Sequence, residues 1–348
     1  MKWWIPCDES VVRCPLTSAE VTPANLIRAM RRMGVDVATN ARPTDYAERV
    51  WLGKGNPTGE YVSRLERMGV FEAQARVWAA GGITEQSWIS YNVGEVKRFL
   101  NACDLIVCPT EYEKQILLHR DVRSRVVVLP QPIGEHFTYY ERDGNKEPTM
   151  FLTIAPLSSW RKGAWLLAAV FEIWKGGVLT ILSPYTKVGY FDNCEYVRVV
   201  KTAIPNTELP EFFKLFDVYI HMGLTETYSM TVYEALATGM PCIVPRAPAL
   251  TQWLPEEYWP YMVELGDYYL MNPRDAGHLL VRLPEFHRLV GILEHIKRFY
   301  ADALEKARRG SEIVRGYMNA ERWVKMVESI LEGGDPIWQL HRICGGGW

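Results

Sequence analysis

Short apolar segments and helical segments alternate along this chain in two rounds, which constrains its fold more than any other feature. In the first half, the apolar segments Leu105–Cys108 and 126–129 flank the helical segment Glu111–His119. After the polar stretch 140–148, a second round has candidate strands at residues 150–155, 177–182, 196–200, 218–221 and 242–244. Strands that alternate with helices form parallel sheets. The sequence therefore predicts an α/β fold with a parallel sheet in each half.

The start of the chain is harder to interpret. An apolar run at residues 3–7 predicts a first strand, residues 24–34 predict a helix that stops at Gly34, and residues 35–39 predict a second strand. Between residues 42 and 88 the pattern gives mainly loop signals, at 53–59 and at Gly81-Gly82. The glycines and Lys54 of the 53–59 loop suit a phosphate, but their spacing fits no known phosphate motif. A plain loop is the preferred interpretation.

Size and composition indicate an ordinary globular protein. The 348 residues suggest two domains, with 48% apolar and 23% charged residues. A net charge of −2 gives no global attraction to nucleic acid. The seven cysteines form no CxxC pair and no zinc-like cluster, which fits a reducing compartment. Because no signal peptide or run of about 20 apolar residues is present, we expect a soluble, cytoplasmic protein.

Two glutamates mark one helical segment. Glu226 comes just before the start of the helix, and Glu234 lies within it. Gly239 and Pro241 mark the end of that helix. A helix that is apolar on all sides is normally buried, and a buried Glu is costly unless something binds it. Both carboxylates are therefore candidates for binding a polyhydroxylated, anionic ligand near the helix N-terminus. The apolar or small residues around the helix are Met230, Val232, Tyr233, Ala235, Leu236, Ala237 and Met240.

This segment resembles the Glu-x7-Glu signature of the retaining glycosyltransferases of the GT-B fold, in particular glycosyltransferase family 4. In that family the first Glu contacts the donor sugar, the second holds the ribose hydroxyls of a sugar nucleotide, and amides at the helix start take the diphosphate. The resemblance implies these roles for Glu226, for Glu234 and for the amides near Ser229 and Met230. The donor-binding residues that it implies on this segment are Tyr228, Ser229, Met230, Thr231 and Glu234.

Three further segments resemble the same family, so that the likeness covers about residues 101–331. Residues 101–114 resemble the end of its N-terminal domain, and the pair of helices before residue 331 resembles its C-terminal pair. Residues 151–163 resemble its first nucleotide-binding strand, with the Lys162-Gly163 that follows. The resemblance implies a β-phosphate contact for Lys162, with Arg161 beside it. A cation at a helix entry is unfavourable unless an anion is near, which supports that role over a solvated loop.

The chain departs from the family pattern in two places. Pro156 stands where relatives often carry an arginine that contacts phosphate, six residues before the lysine. Asp8, Glu9 and Ser10 follow the first strand in place of the Gly-Gly turn that approaches the donor. Acidic side chains beside a diphosphate would repel it. These departures motivate a second hypothesis, a non-catalytic nucleotide-sugar or glycan-binding protein on a degenerate GT-B scaffold.

The resemblance predicts a retaining, metal-independent hexosyltransferase in which two Rossmann-like domains face each other across a cleft. Residues 1–145 form the acceptor domain, 146–325 the nucleotide-sugar domain, and 326–348 a helix and tail that cross back. Glu226 and Lys162 carry the catalysis, no metal or other cofactor is needed, and a nucleoside diphosphate sugar is the donor. The acceptor is a glycan, a lipid or a small molecule. Two basic helices, one with Arg28, Arg31 and Arg32 and one with Arg64 and Arg67, could contact an anionic acceptor or a peripheral membrane surface, although a solvated face is preferred.

Other classes of protein are less well supported. A transferase acting on modified nucleic acid conflicts with the near-neutral charge. An NAD-dependent dehydrogenase lacks the Rossmann glycine fingerprint after a strand. No histidine is placed as an obvious catalytic base, and in relatives the leaving phosphate is thought to serve as the base. The sequence leaves the donor base, the sugar and the acceptor open.

Overall fold

The chain forms two compact units. One combines the chain up to Glu135 with the segment from Gly316 onwards, and the other is His136–Arg315. The computed structural model describes residues 2–16, 18–39, 48–54, 59–79, 93–156, 160–184, 191, 193–224, 226, 228–254, 256–258, 261–271 and 279–334. The loop signal at Gly81-Gly82 lies outside these residues.

The first unit is built on a parallel sheet of six strands. Their order across the sheet is β2-β1-β3-β4-β5-β6, and every neighbouring pair is parallel. The strands are β1 Lys2–Ile5, β2 Asp36–Thr39, β3 Arg49–Lys54, β4 Ala75–Ala79, β5 Leu105–Cys108 and β6 Arg125–Val128. The helices between them are α1 Glu9–Arg13, α2 Ser18–Arg32, α3 Gly59–Arg67, α4 Val93–Asn101 and α5 Glu111–His119.

The second unit repeats this plan with a further sheet of six parallel strands. Its order is β12-β11-β10-β7-β8-β9, and an antiparallel hairpin of β13 and β14 is separate from it. The strands are β7 Met150–Ile154, β8 Val178–Leu182, β9 Val197–Val200, β10 Val218–Ile220, β11 Cys242–Pro245, β12 Tyr261–Val263, β13 Leu265–Met271 and β14 Leu279–Pro284. The helices are α6 Ala164–Trp174, α7 Leu209–Phe213, α8 Met230–Ala237, α9 Pro248–Thr251, α10 Phe286–Arg298 and α11 Tyr300–Tyr317.

Other parts of the chain pack on both faces of each sheet. This explains why the strands have almost continuously apolar sequences. Successive side chains of a strand point to opposite faces. Trp4 accordingly packs in one core cluster, with Trp78 and Phe99, while its neighbour Trp3 packs in the cluster on the other face. The strands predicted in the second half of the chain are confirmed to within one or two residues.

The structure corrects the prediction for the early part of the chain. Residues 42–88 contain β3, α3 and β4, where mainly loop signals were found. Gly53 and Lys54 of the predicted 53–59 loop end β3, and Gly59 begins α3, so the loop prediction is wrong at both ends. Helix α2 begins at Ser18, and it includes Pro23. Proline usually marks the first turn of a helix, so the sequence pattern placed this start too late.

A final helix, α12 Ala320–Leu331, completes the first unit. Asn319 caps it by accepting hydrogen bonds from the amides of Glu321 and Arg322 at 2.9 and 3.2 Å. Its apolar face lies in the core cluster that contains β1, and Trp323 meets Trp51 edge to face with ring centroids 5.4 Å apart. The last described helix of the chain is therefore part of the N-terminal core.

The arginines of α2 have partners within the first unit. Arg31 pairs with Glu9, and Arg32 pairs with Glu135 and Glu321. Arg28 donates to the carbonyl of Val12. Each of the three charges is therefore engaged with other groups of the first unit.

Candidate functional site

The loops that follow two neighbouring strands of the second sheet carry the charged residues singled out in the sequence. β7 and β10 are adjacent and parallel, so their carboxyl ends lie at the same edge of the sheet. Lys162 belongs to a 3₁₀ turn, Trp160–Lys162, after β7, and Glu226 lies in the loop between β10 and α8. Residues 64 positions apart are thereby brought into contact.

Backbone contacts fix these two loops against each other. The amide of Leu224 donates to the carbonyl of Arg161 at 2.7 Å. Gly163 has a φ of +65°, and a Cβ built on it would lie 2.1 Å from the carbonyl oxygen of Met222. Only glycine combines that backbone conformation with so close an approach. The glycine of the Lys-Gly pair therefore sets the position of the lysine before it.

Lys162 and Glu226 form an ion pair. The Lys162 ammonium donates to Oε1 of Glu226, whose side chain is 9% exposed. The imidazole Nε2 of His221, which follows β10, lies 3.4 Å from the same oxygen. Burial by itself raises the pKa of the Glu226 carboxyl, but the Lys162 charge and His221 favour the ionised form more strongly and lower the pKa to about 2. The carboxylate is thus held ionised.

Gly223 provides the space in which these side chains meet. A Cβ at this position would lie 2.6 Å from Nε2 of His221, 2.7 Å from Cγ of Glu226 and 2.8 Å from its Oε1. Any larger residue would displace one of the two side chains. The sequence pattern gave no sign of this requirement, because the glycine is isolated in a loop.

The N-terminus of α8 follows Glu226 directly. Ser229 is its N-cap residue and has an extended backbone, as expected, but its hydroxyl makes no capping bond and lies 3.3 Å from the Thr231 hydroxyl. Thr231 in turn accepts a hydrogen bond from the Tyr219 hydroxyl at 2.9 Å. A helix start of this kind favours an anion through its amides and its dipole.

Two other residues predicted on this segment belong to the core. Tyr228 stacks on Tyr233, with ring centroids 4.8 Å apart and an interplanar angle of 17°. The Tyr233 hydroxyl donates to the carbonyl of Leu250. Met230 is buried as well. Their side chains pack at the start of α8.

Glu234 lies on α8 in a separate buried network. Glu234 is buried, with 2% of its surface exposed. Its Oε1 accepts a hydrogen bond from Nδ2 of Asn206 at 2.9 Å. Oδ1 of Asn206 lies 3.0 Å from Nε2 of His136. The amide of Asn206 is therefore oriented from both ends, and it holds the Glu234 carboxylate in place. A buried carboxylate needs such donors.

The structure thus sorts the predicted site residues into three places. Lys162, Arg161 and Glu226 lie on the two coupled loops, and the guanidinium of Arg161 has no ion-pair partner among the described residues. Tyr228, Ser229, Met230 and Thr231 form the start of α8. Glu234 lies with Asn206 and His136. Sequence reasoning missed Asn206 and Gly223, since neither belongs to a recognisable motif.

The acidic residues that depart from the family pattern are engaged within the first unit. Asp8 caps α1, accepting from the amide and the hydroxyl of Ser10 at 2.8 and 2.7 Å. Glu9 pairs with Arg31 and accepts from the Thr39 hydroxyl, and these hydrogen bonds lower the pKa of its carboxyl to about 2. Arg31 thus offsets the charge of Glu9.

The described part of the chain holds neither a cluster of metal-binding side chains nor a helix that could span a membrane. No group of three or more His, Cys, Asp or Glu side chains there is placed to hold a metal ion. No helix in the same ranges has the length and apolar character needed to cross a membrane.

Two named proteins match the chain in sequence, although no protein-family model does. The UDP-N-acetylglucosamine–peptide N-acetylglucosaminyltransferase GtfA subunit of Streptococcus pneumoniae is 20% identical over 269 residues, which are 71% of this chain and 50% of that protein. A GDP-mannose-dependent alpha-mannosyltransferase of Mycobacterium tuberculosis is 32% identical over 73 residues, 21% of this chain and 19% of that protein. The matched parts span half or less of either relative.

Solved structures match nearly the whole chain. Sucrose-phosphate synthase from Thermosynechococcus elongatus has a TM-score of 0.71 at 14% identity, covering 96% of this chain and 100% of that one. Anabaena HepE in complex with UDP-glucose has a TM-score of 0.65 at 10% identity, covering 95% and 99%. The pneumococcal GtfA bound to UDP and GlcNAc has a TM-score of 0.55 at 15% identity, covering 89% and 60%. These similarities, with the two six-stranded parallel sheets, show that the chain has the predicted GT-B fold.

Proposed function

We propose that the chain is a retaining, metal-independent glycosyltransferase of the family 4 type, which moves a hexose from a nucleoside diphosphate sugar to an acceptor hydroxyl. The observation that carries the proposal is the Lys162–Glu226 pair at the N-terminus of α8. It puts a cation, a carboxylate and a helix start at one edge of a parallel sheet, where α/β proteins bind their ligands. The named relatives use or bind nucleotide sugars, which supports the same class of donor here.

Each part of the site has a task in this reaction. The bond between the sugar C1 and the β-phosphate oxygen breaks, and negative charge develops on the diphosphate. Lys162, with Arg161 beside it and the N-terminus of α8, stabilises that charge. The Glu226 carboxylate accepts hydrogen bonds from sugar hydroxyls and holds the ring in position.

The acceptor oxygen then bonds to C1, and its proton passes to the oxygen of the departing phosphate. In this scheme the leaving group is the base, so that no separate histidine is required. Attack on the face that the diphosphate leaves would retain the configuration at C1. Positive side chains and a helix start would neutralise the diphosphate, which is the reason to propose independence of a metal.

Glu234 would bind the ribose hydroxyls of the donor. Its carboxylate is buried and oriented by Asn206, which is the preorganisation that hydroxyl recognition needs. The acceptor is a glycan, a lipid or a small molecule, and cytoplasmic location and peripheral membrane contact remain predictions from the sequence.

A thermal-shift screen of UDP-, GDP- and ADP-sugars, with and without EDTA, tests the proposal. A donor should raise the melting temperature of the wild type by mass action, independently of EDTA, and should raise it less in Lys162→Ala, Glu226→Gln and Glu234→Ala. The exposed pair Lys214–Glu211 offers matched controls, Lys214→Ala and Glu211→Gln, which should respond like the wild type.

Two results would contradict the proposed glycosyltransferase activity. Failure of every nucleotide sugar to shift the melting temperature would leave the site without its donor. Binding without turnover that is indifferent to Glu226→Gln would favour the non-catalytic binding protein on the same fold.

A further inference from the structure

The two side chains to which the proposed function assigns different parts of the donor contact each other in the structure. The Lys162 ammonium donates to Glu226 Oε1, on a carboxylate that is almost fully buried. The Glu226 carboxylate and an incoming diphosphate would compete for the single positive charge of Lys162. When Lys162 pairs with one of the two anions, it stabilises the other less. Donor binding therefore has to redistribute the charge of Lys162.

Moving Lys162 to the diphosphate would, taken alone, leave Glu226 without a cation. An unpaired charge in so buried a place is strongly destabilising. The carboxylate would then either take up a proton or lose its position, and in neither case could it hold the sugar as an ionised acceptor. A second basic group that reaches the same oxygen is needed.

His221 is such a group. Its Nε2 lies 3.4 Å from Glu226 Oε1, and its side chain is 3% exposed. Among the described residues this nitrogen has no hydrogen-bond partner. A buried imidazole nitrogen without a hydrogen bond, 3.4 Å from the carboxylate that Lys162 already binds, is close enough to form a hydrogen bond with it once Lys162 moves away.

We infer that donor binding exchanges the partners of Glu226: the diphosphate takes Lys162, and a protonated His221 takes over the carboxylate. The inference rests on the proposed function. No covalent bond changes in this step, and a proton is taken up from solvent wherever His221 was neutral beforehand. His221 is accordingly a positioning residue, because it acts on the donor through Glu226.

The charges around His221 suit the exchange. Among the described residues of its own loop, Glu226 is the charged group beside the imidazole, and Lys162 reaches the same carboxylate from the 3₁₀ turn. Strand β11 contributes a backbone contact, since the carbonyl of Ile243 accepts from the His221 amide at 2.9 Å. Within the described residues no other charged side chain contacts His221.

Isothermal titration of UDP-glucose between pH 5.5 and 8 tests the exchange, because imidazole changes charge in this range. The diphosphate of this probe is esterified at both ends and titrates outside it. The wild type should bind about tenfold more weakly at pH 8 than at pH 5.5. Buffers of different ionisation enthalpy should also reveal proton uptake on binding at pH 7.5. His221→Gln should bind with no such pH dependence and no proton uptake.

His119→Gln is the matched control, since His119 is exposed and its Nδ1 lies 2.8 Å from the carbonyl oxygen of Gln115 on its own helix. It should retain both the pH dependence and the proton uptake of the wild type. Should His221→Gln fail to fold, His221→Asn, checked by its melting temperature, replaces it.

The outcomes separate this inference from the proposed function. Binding that Glu226→Gln weakens, but that shows the same pH dependence and proton uptake in His221→Gln as in the wild type, overturns the exchange and leaves the function standing. If UDP-glucose and the other nucleotide sugars fail to bind at any pH, the proposed function falls, and the exchange falls with it.

Discussion

Glu226 is the residue on which the electrostatics of the site depend. Burial raises the pKa of its carboxyl, and Lys162 and His221 more than reverse that effect. Because the resulting pKa of about 2 lies below the ordinary 4.5, the ionised carboxylate stabilises the folded state above that ordinary value. The stabilisation is lost as the pH falls from about 4.5 towards 2.

Replacing Glu226 by Gln should remove this part of the pH dependence. A pKa lowered from 4.5 to about 2 corresponds to about 3 kcal/mol of unfolding free energy. Urea unfolding of the wild type at pH 6 and pH 3 should show a fall in stability that is smaller in Glu226→Gln by about 2 kcal/mol, because at pH 3, still above the folded-state pKa of about 2, part of the stabilisation remains. An equal fall in both proteins would mean that the ion pair contributes little to folding.

Single residues also mark the limit of what the sequence could reveal about the site. Lys162 and Glu226 were found through motifs, and the structure brings them into contact. Asn206, which orients Glu234, gave no signal because its role depends on a contact across 28 residues of chain. The sequence also gave no signal at Gly223, since the need for a small residue there arises from the positions of the His221 and Glu226 side chains.

At the scale of elements, the site depends on two loops that are locked together. The 3₁₀ turn before α6 and the loop after β10 share the bond between Leu224 and Arg161, and Gly163 packs against the Met222 carbonyl. The sequence predicted β7 and β10 because each is a compact apolar run. It could not predict the contact between their loops, which follows from the pairing of β7 with β10.

Gly163→Ala should disrupt this contact. A left-handed φ of +65° costs an alanine about 1–2 kcal/mol, and the clash with the Met222 carbonyl forces the backbone apart as well. We expect a loss of at least about 2 kcal/mol in unfolding free energy, measured with urea, together with weaker donor binding.

Gly291→Ala is the control for that change. Gly291 lies inside α10 with no atom within 4 Å of an added Cβ, so alanine should stabilise the helix by about 0.5–1 kcal/mol. If Gly163→Ala proved as harmless as Gly291→Ala, the close packing of the two loops would not be what positions Lys162.

At the scale of the whole molecule, both ends of the chain build the first unit. β1 and α12 share one core cluster, and Trp323 of α12 packs against Trp51 of β3. The alternation of strands and helices sufficed to predict the α/β fold with parallel sheets. It failed between residues 42 and 88, where β3 ends with Gly53 and Lys54 and α3 begins at Gly59, so that glycines within these elements resemble loop signals.

Trp323→Ala tests this view of the first unit. Removing a buried tryptophan from a well-packed core costs about 3–5 kcal/mol, so urea unfolding of the variant should show a loss of that order. Lys325→Ala, on the exposed face of the same helix, should change stability by no more than about 0.5 kcal/mol. Similar small effects for both would mean that α12 contributes little to the core of the first unit.

The central claim is that Lys162 and Glu226 form the site at which a nucleotide sugar is cleaved. Its most direct test is the steady-state release of nucleoside diphosphate from UDP- and GDP-sugars by the wild type, Lys162→Ala and Lys214→Ala. We predict release by the wild type and by Lys214→Ala, and a rate lower by about 10²–10³ in Lys162→Ala. Equal rates in all three proteins, or no release by the wild type from any donor, would contradict the claim.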